Sequence, residues 1–68
     1  MYYYDIHVFF SRSEGYSFGL TSLVDLSEDD AIAEAVKQGK FSETGDENHV
    51  DCVDEISAKE YQDIFGDS

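Results

Sequence analysis

The residues best suited to catalysis or metal binding are few: one cysteine (Cys52), two histidines (His7 and His49) and a large excess of carboxylates. His49 and Cys52 stand at H-x-x-C spacing, and with His7 brought near they would make three zinc ligands. A buried structural cysteine with two surface histidines is the plainer reading. Asp46, Asn48, Asp51, Asp54 and Glu55 are calcium-ligand types. The EF-hand pattern fails, however, because Val50 and Asp51 occupy the positions of its third ligand and its glycine. Cys52 with His7 or His49 is the one conceivable nucleophile–base pair. Its acidic surroundings raise a thiol pKa instead of lowering it, and no Lys or Arg lies in the same stretch. There is no glycine-rich phosphate loop, and a domain this small rarely encloses a substrate pocket. The expectation is a non-enzymatic chain with no metal and no cofactor.

Charge is the stronger signal. Sixteen acids face four bases (Arg12, Lys37, Lys40 and Lys59), for a formal net charge of −12. A folded chain of this mass exposes about 4,300 Å², so the negative density is high. Direct contact with nucleic acid or anionic lipid is disfavoured, because phosphates are held by Lys and Arg. Basic protein surfaces are attracted instead. Glu28, Asp29, Asp30 and Glu60 are accounted for as favourable charges at helix N-termini. The run Glu43, Asp46, Glu47, Asp51, Asp54 and Glu55 contains no base and has no such explanation. A single cysteine allows no internal disulfide and fits a reducing, cytoplasmic setting. The segment from Met1 to Asp5 has neither the basic start of a signal peptide nor an apolar span.

The elements that must position these residues can be read from periodicity. The 68 residues make one domain, with five Tyr and five Phe to build a thin core. Tyr2, Tyr4, Ile6, Val8 and Phe10 alternate along a first strand over residues 2–11. Ser11 to Gly15 is a turn. A second strand follows over 16–26 on Tyr16, Phe18, Leu20, Val24 and Leu26, with Gly19 as a candidate bulge. Ser27 caps a helix whose buried stripe is Ala31, Ile32, Ala35 and Val36, and Gly39 terminates it. Phe41 returns to the core. Residues 49–56 form a third strand of weak phase. Ser57-Ala58-Lys59-Glu60 is a capping box opening a short helix with Tyr61, Ile64 and Phe65 inward.

The order is ββαβα. A right-handed crossover with the first, most apolar strand in the centre gives a three-stranded antiparallel α+β sheet of order 2-1-3, with both helices on one face. The opposite face is then open. By strand parity it presents Tyr3, Asp5, His7 and Phe9, then Thr21, Leu23 and Asp25, then Asp51, Val53 and Glu55. An aromatic centre with an acidic rim has the anatomy of a protein interface. Together with Glu43, Asp46 and Glu47, these are the candidate partner-binding residues.

Small size, acidity, no Pro, one Cys and the ββαβα order, with the junction Ser27-Glu28-Asp29-Asp30-Ala31-Ile32 before Ala35, resemble small proteins of bacteriophages and other mobile elements. Within that group the charge is similar to that of DNA-mimic inhibitors, including anti-CRISPR proteins. The resemblance implies occupation of the basic nucleic-acid groove of a nuclease complex or DNA-processing protein, in the cytoplasm of a bacterial host. No catalytic residue is carried over. A second expectation, of another class, is a homodimeric accessory protein using the open sheet face. Self-repulsion makes a monomer the expected state at low salt.

Overall fold

Alternation along the first strand sets the architecture. In the computed structural model, which describes residues 1–66, β1 (Tyr2–Phe9) and β2 (Gly15–Ser22) form a hairpin, followed by α1 (Glu28–Lys37), a 3₁₀ turn (Asp46–His49), β3 (Val50–Ile56) and α2 (Ala58–Phe65). The sheet order is β2-β1-β3, with β1 antiparallel to both neighbours. The α+β class, the central first strand and the order 2-1-3 are those expected from the sequence. The second strand stops at Ser22, so Leu23 and Asp25 lie outside the sheet.

Every second residue of β1 faces α1. Tyr4, Ile6 and Val8 are buried, and Leu20, Ala31 and Ala35 are fully so. Phe18, Leu26, Phe41, Val50 and Val53 close this core. The alanines let α1 lie close to the sheet, while Val36 is 49% exposed and belongs to no buried stripe. Ser27 Oγ accepts from the Asp30 amide at 3.2 Å. Three acids fill the first turn, where the macrodipole favours them. Gly39, at φ +69°, ends the segment in the left-handed conformation that glycine adopts without strain.

Two expectations are corrected. Gly19 is not a bulge: the β1–β2 register runs unbroken from Tyr2↔Ser22 to Phe9↔Gly15. The irregularity lies in β3, where His7 pairs Cys52 and Val8 pairs Val50, leaving Asp51 as the extra residue. The bulge explains the weak phase of this stretch. It turns both Val50 and Val53 toward the core and puts Cys52 and Asp54 on the opposite face. Val53, expected on the open face, is a core contact opposite Ile6.

The second correction concerns α2. It packs against the face opposite α1, not beside it. Tyr61 stacks on Tyr3 with centroids 5.1 Å apart, and on Phe65 at 5.3 Å. Gly19 gives those rings their seat, because a Cβ there would collide with Tyr61 and lie 2.8 Å from Phe65 Cδ2. Gly15, Ser17 and Gly19 all point to this side of β2, so the sheet offers a shallow trough that two aromatic rings fill. Ser57 caps α2, accepting from the Glu60 amide at 3.1 Å. Ile64, expected inward, is 52% exposed.

Gly19→Ala should therefore displace α2 and cost about 1–3 kcal/mol as overpacking. Urea denaturation gives the loss, and hydrogen exchange should show it concentrated in residues 58–65. Unchanged stability would mean that α2 docks elsewhere.

Candidate functional site

Where α2 ends its cover, the face of β1 and β3 that it shares is uncovered, and the chemically capable residues gather there. Two cross-strand pairs lie side by side in the register: Asp5 opposite Asp54, and His7 opposite Cys52. Period two places all four side chains on one face. His7 Nε2 is 3.1 Å from Asp5 Oδ2 and 3.7 Å from Asp54 Oδ2. Cys52 Sγ lies 3.7 Å from the same Asp54 oxygen. Burial, then the charges of Asp54 and Asp51, push the Cys52 thiol above its ordinary pKa. It is the protonated thiol that stands here at neutral pH, a poor nucleophile.

Asp5 is the anomaly of the group. It is only 8% exposed, and its Oδ1 is buried with no hydrogen-bond partner. It was expected among the interface acids on an open face, but α2 and the neighbouring strands cover it. Tyr3, expected beside it, lies partly buried against Tyr61. Of the aromatic centre, Phe9 stays free at 51% exposed. His49 does not join the cluster. Its ring stacks on Phe10 at 4.9 Å, so the H-x-x-C spacing brings no histidine to Cys52.

The remaining acids divide by role. Asp46 is not a rim residue: it is buried and accepts from Tyr16 Oη at 2.6 Å and from the Glu43 amide at 3.1 Å. Tyr16 Oη in turn accepts from the Ser42 amide at 3.1 Å, so one phenol–carboxylate pair pins the loop before β3. Glu47 accepts from the Gly45 amide. Asp25 is exposed and accepts from Tyr4 Oη at 3.2 Å. Glu43, Asp51 and Glu55 are exposed, although Glu55 projects from the α1 side of the sheet, opposite Tyr4. Leu23 is 81% exposed, at the sheet's end beside Met1 and Val24. Among the described residues His7 is the one basic side chain close to a carboxylate, and no Lys or Arg lies within 4.0 Å of one.

No family model matches the chain, and neither a curated protein nor a solved structure is significantly similar to it. No helix among the described residues is long and apolar enough to cross a membrane.

The Tyr16–Asp46 pair makes a pH prediction. Burial first, then the carboxylates, raise the Tyr4 and Tyr16 phenols above their ordinary 10.0, with the Leu26 and Ser42 amides opposing in part. A raised phenol contributes stability that is complete below the unfolded-state value near 10 and is lost as pH climbs through the higher folded value. Stability should therefore fall above pH 10. Tyr16→Phe should cost about 1–3 kcal/mol at pH 7, since it removes a hydrogen bond to a buried charged group that keeps only the Glu43 amide, and should show a shallower alkaline loss. Equal alkaline slopes in urea titrations at pH 8 and pH 11 would remove Tyr16 from this role.

Proposed function

We propose that this chain is a non-catalytic protein-binding module whose acidic surface docks in a basic groove of another protein and competes there with nucleic acid. The observation that carries the reading is the uncompensated charge. Sixteen acids share the molecule with four bases, and no Lys or Arg pairs with a carboxylate among the described residues. Exposed, unpaired carboxylates keep their field for a partner. The surface that carries them measures 4674 Å².

Size supports the same reading. The Cα envelope is 29 × 25 × 17 Å. Duplex DNA carries one charge per ~1.7 Å of axis, so an equal length presents on the order of 17 phosphates. The chain carries sixteen acids in all, of which Asp5 and Asp46 are buried. A groove shaped for about one duplex turn would accept it by charge and by width. The partner class is a nuclease complex or DNA-processing protein of a bacterial cell, in keeping with the resemblance to DNA-mimic inhibitors.

A second reading, a homodimeric accessory protein, is favoured by one feature. Met1, Leu23 and Val24 are 68%, 81% and 60% exposed and line one shallow groove at the end of the sheet. An isologous pairing through this cluster would bury it. The sheet face expected to serve that purpose is half covered by α2.

Two measurements decide between them. The immobilised chain, exposed to bacterial lysate at low salt, should retain basic nucleic-acid-binding proteins that are eluted by excess duplex DNA or by raised salt. Asp51→Lys with Glu55→Lys should leave the fold within about 0.5 kcal/mol of wild type and slow association. Retention insensitive to salt, to DNA and to this charge reversal would discard the mimicry reading. Light scattering at micromolar concentration should find a monomer at low salt, and a tight dimer there would transfer the function to the second reading.

A further inference from the structure

The acidic docking reading does not account for the grouping of Asp5, His7, Cys52 and Asp54. Its composition is unlike the rest of the surface. Two carboxylates placed directly opposite each other across a strand pair repel. One of them, Asp5, has a side chain only 12% exposed and keeps an oxygen with no partner. A buried carboxylate needs a cation or donors to offset its desolvation. His7 provides a single ring nitrogen, shared between Asp5 and Asp54. The nearest Lys or Arg is not in contact with either.

We propose that His7, Cys52 and Asp54 bind a divalent transition metal, zinc by their mixed nitrogen, sulfur and oxygen donors, with Asp5 completing the site. His7 Nε2, Cys52 Sγ and an Asp54 oxygen all lie within 4.8 Å of one another. A tetrahedral zinc ion with Zn–S about 2.3 Å and Zn–N or Zn–O about 2.0–2.1 Å spaces its ligand atoms about 3.3–3.5 Å apart. The 3.7 Å separations from Asp54 to His7 and to Cys52 need to contract by a few tenths of an ångström, and that between His7 and Cys52, within 4.8 Å, by up to about 1.3 Å. Asp5 Oδ2 sits beside the same ring nitrogen at 3.1 Å. Rotation of this carboxylate would bring it in as the fourth ligand.

The scaffold is rigid where it has to be. All four residues lie on two adjacent strands paired through backbone hydrogen bonds, and β1 is the central strand. The bulge at Asp51 is what turns Cys52 and Asp54 to the His7 face. Were Asp51 paired in regular alternation from Val50, Val53 would stand there instead. His7 and Cys52 also line an open surface groove of about 520 Å³, which gives an ion its way in. Metal binding would displace the Cys52 thiol proton and cross-link the edge strand to the centre.

The test uses the full chain, purified with chelator and dialysed metal-free. Cobalt(II), which reports its ligands through its absorption, should add with one-to-one stoichiometry and give a thiolate-to-metal charge-transfer band together with tetrahedral d–d bands. Zinc should displace it. Cys52→Ser should abolish the charge-transfer band. His7→Gln and Asp54→Asn should each weaken zinc at least tenfold in chelator competition. Asp29→Asn, an exposed acid on α1, should change nothing. Backbone NMR of each variant establishes that it is folded, and zinc added to wild-type protein should shift the amides of residues 5–7 and 52–54. Cobalt binding without a thiolate band, or zinc affinity equal in wild type, His7→Gln and Asp54→Asn, would overturn the proposal. In the latter case the metal is held only diffusely by the acidic surface.

Discussion

Cover on both faces of a single strand is the constraint on which this fold depends. β1 pairs along both edges and is roofed by α1 on one side and partly by α2 on the other. A chain of this length buries only about 60% of its unfolded surface, so the strand that gathers most of that burial has to be central. Tyr4 shows how far one residue can serve. Its ring fills the core against α1, while its hydroxyl accepts from the Leu26 amide at 2.8 Å and donates to Asp25. The phenol therefore fixes the link between β2 and α1 from inside the core. A Phe at this position would keep the packing and release the link.

The two buried carboxylates show how the fold treats charge. Asp46 receives a phenol and a backbone amide, and its burial is matched by donors. Asp5 receives one histidine nitrogen and leaves an oxygen unsatisfied. In a domain with a margin of only several kcal/mol, an unpaired buried oxygen costing about 1–3 kcal/mol is a large concession. The contrast separates an acid whose burial is matched by donors from one whose burial is not. It also separates Asp5 from the exposed acids, which cost little on their own and act together through their field.

Much of the fold was legible in the sequence because local signals agreed. Ser27 with three following acids, Gly39, and the serine at 57 with Glu60 marked the helix ends, and the apolar alternation of β1 marked the centre. The side taken by α2 was not read, although Gly15, Ser17 and Gly19 carried the signal. Three small residues at period two describe a trough, and aromatic rings four residues apart on a following helix are what fills one. The phase of β3 was misread for a different reason. Val50 and Val53 can share a face only if the strand is bulged between them, and no residue type announces a bulge at an aspartate. That one extra residue exchanges Val53 and Glu55 for Cys52 and Asp54 on the exposed face. The side-chain group around His7 was hidden for this reason, while the general acidity of the surface needed no register and was read directly.

The bulge also places electrostatic stress on an edge strand. β3 is an edge, contributes Val50 and Val53 to the core, and bears Asp51, Asp54 and Glu55. Charged side chains on an edge discourage pairing with other chains, yet here Asp54 also faces Asp5 across the ladder. Repulsion between them opposes the docking of β3 onto β1, and the apolar contacts that resist it are few. A cation that binds between these strands relieves that repulsion in the folded state alone, so it stabilises the fold by linkage. A basic partner approaching Asp51 and Asp54 acts through the same Coulomb interaction, more weakly because it is screened by solvent. On the two proposals, metal binding and partner binding would be coupled through one strand. Each would neutralise charge that the other uses, so an ion held by His7 and Cys52 would lower the local attraction for a basic groove while steadying the strand that presents the remaining acids.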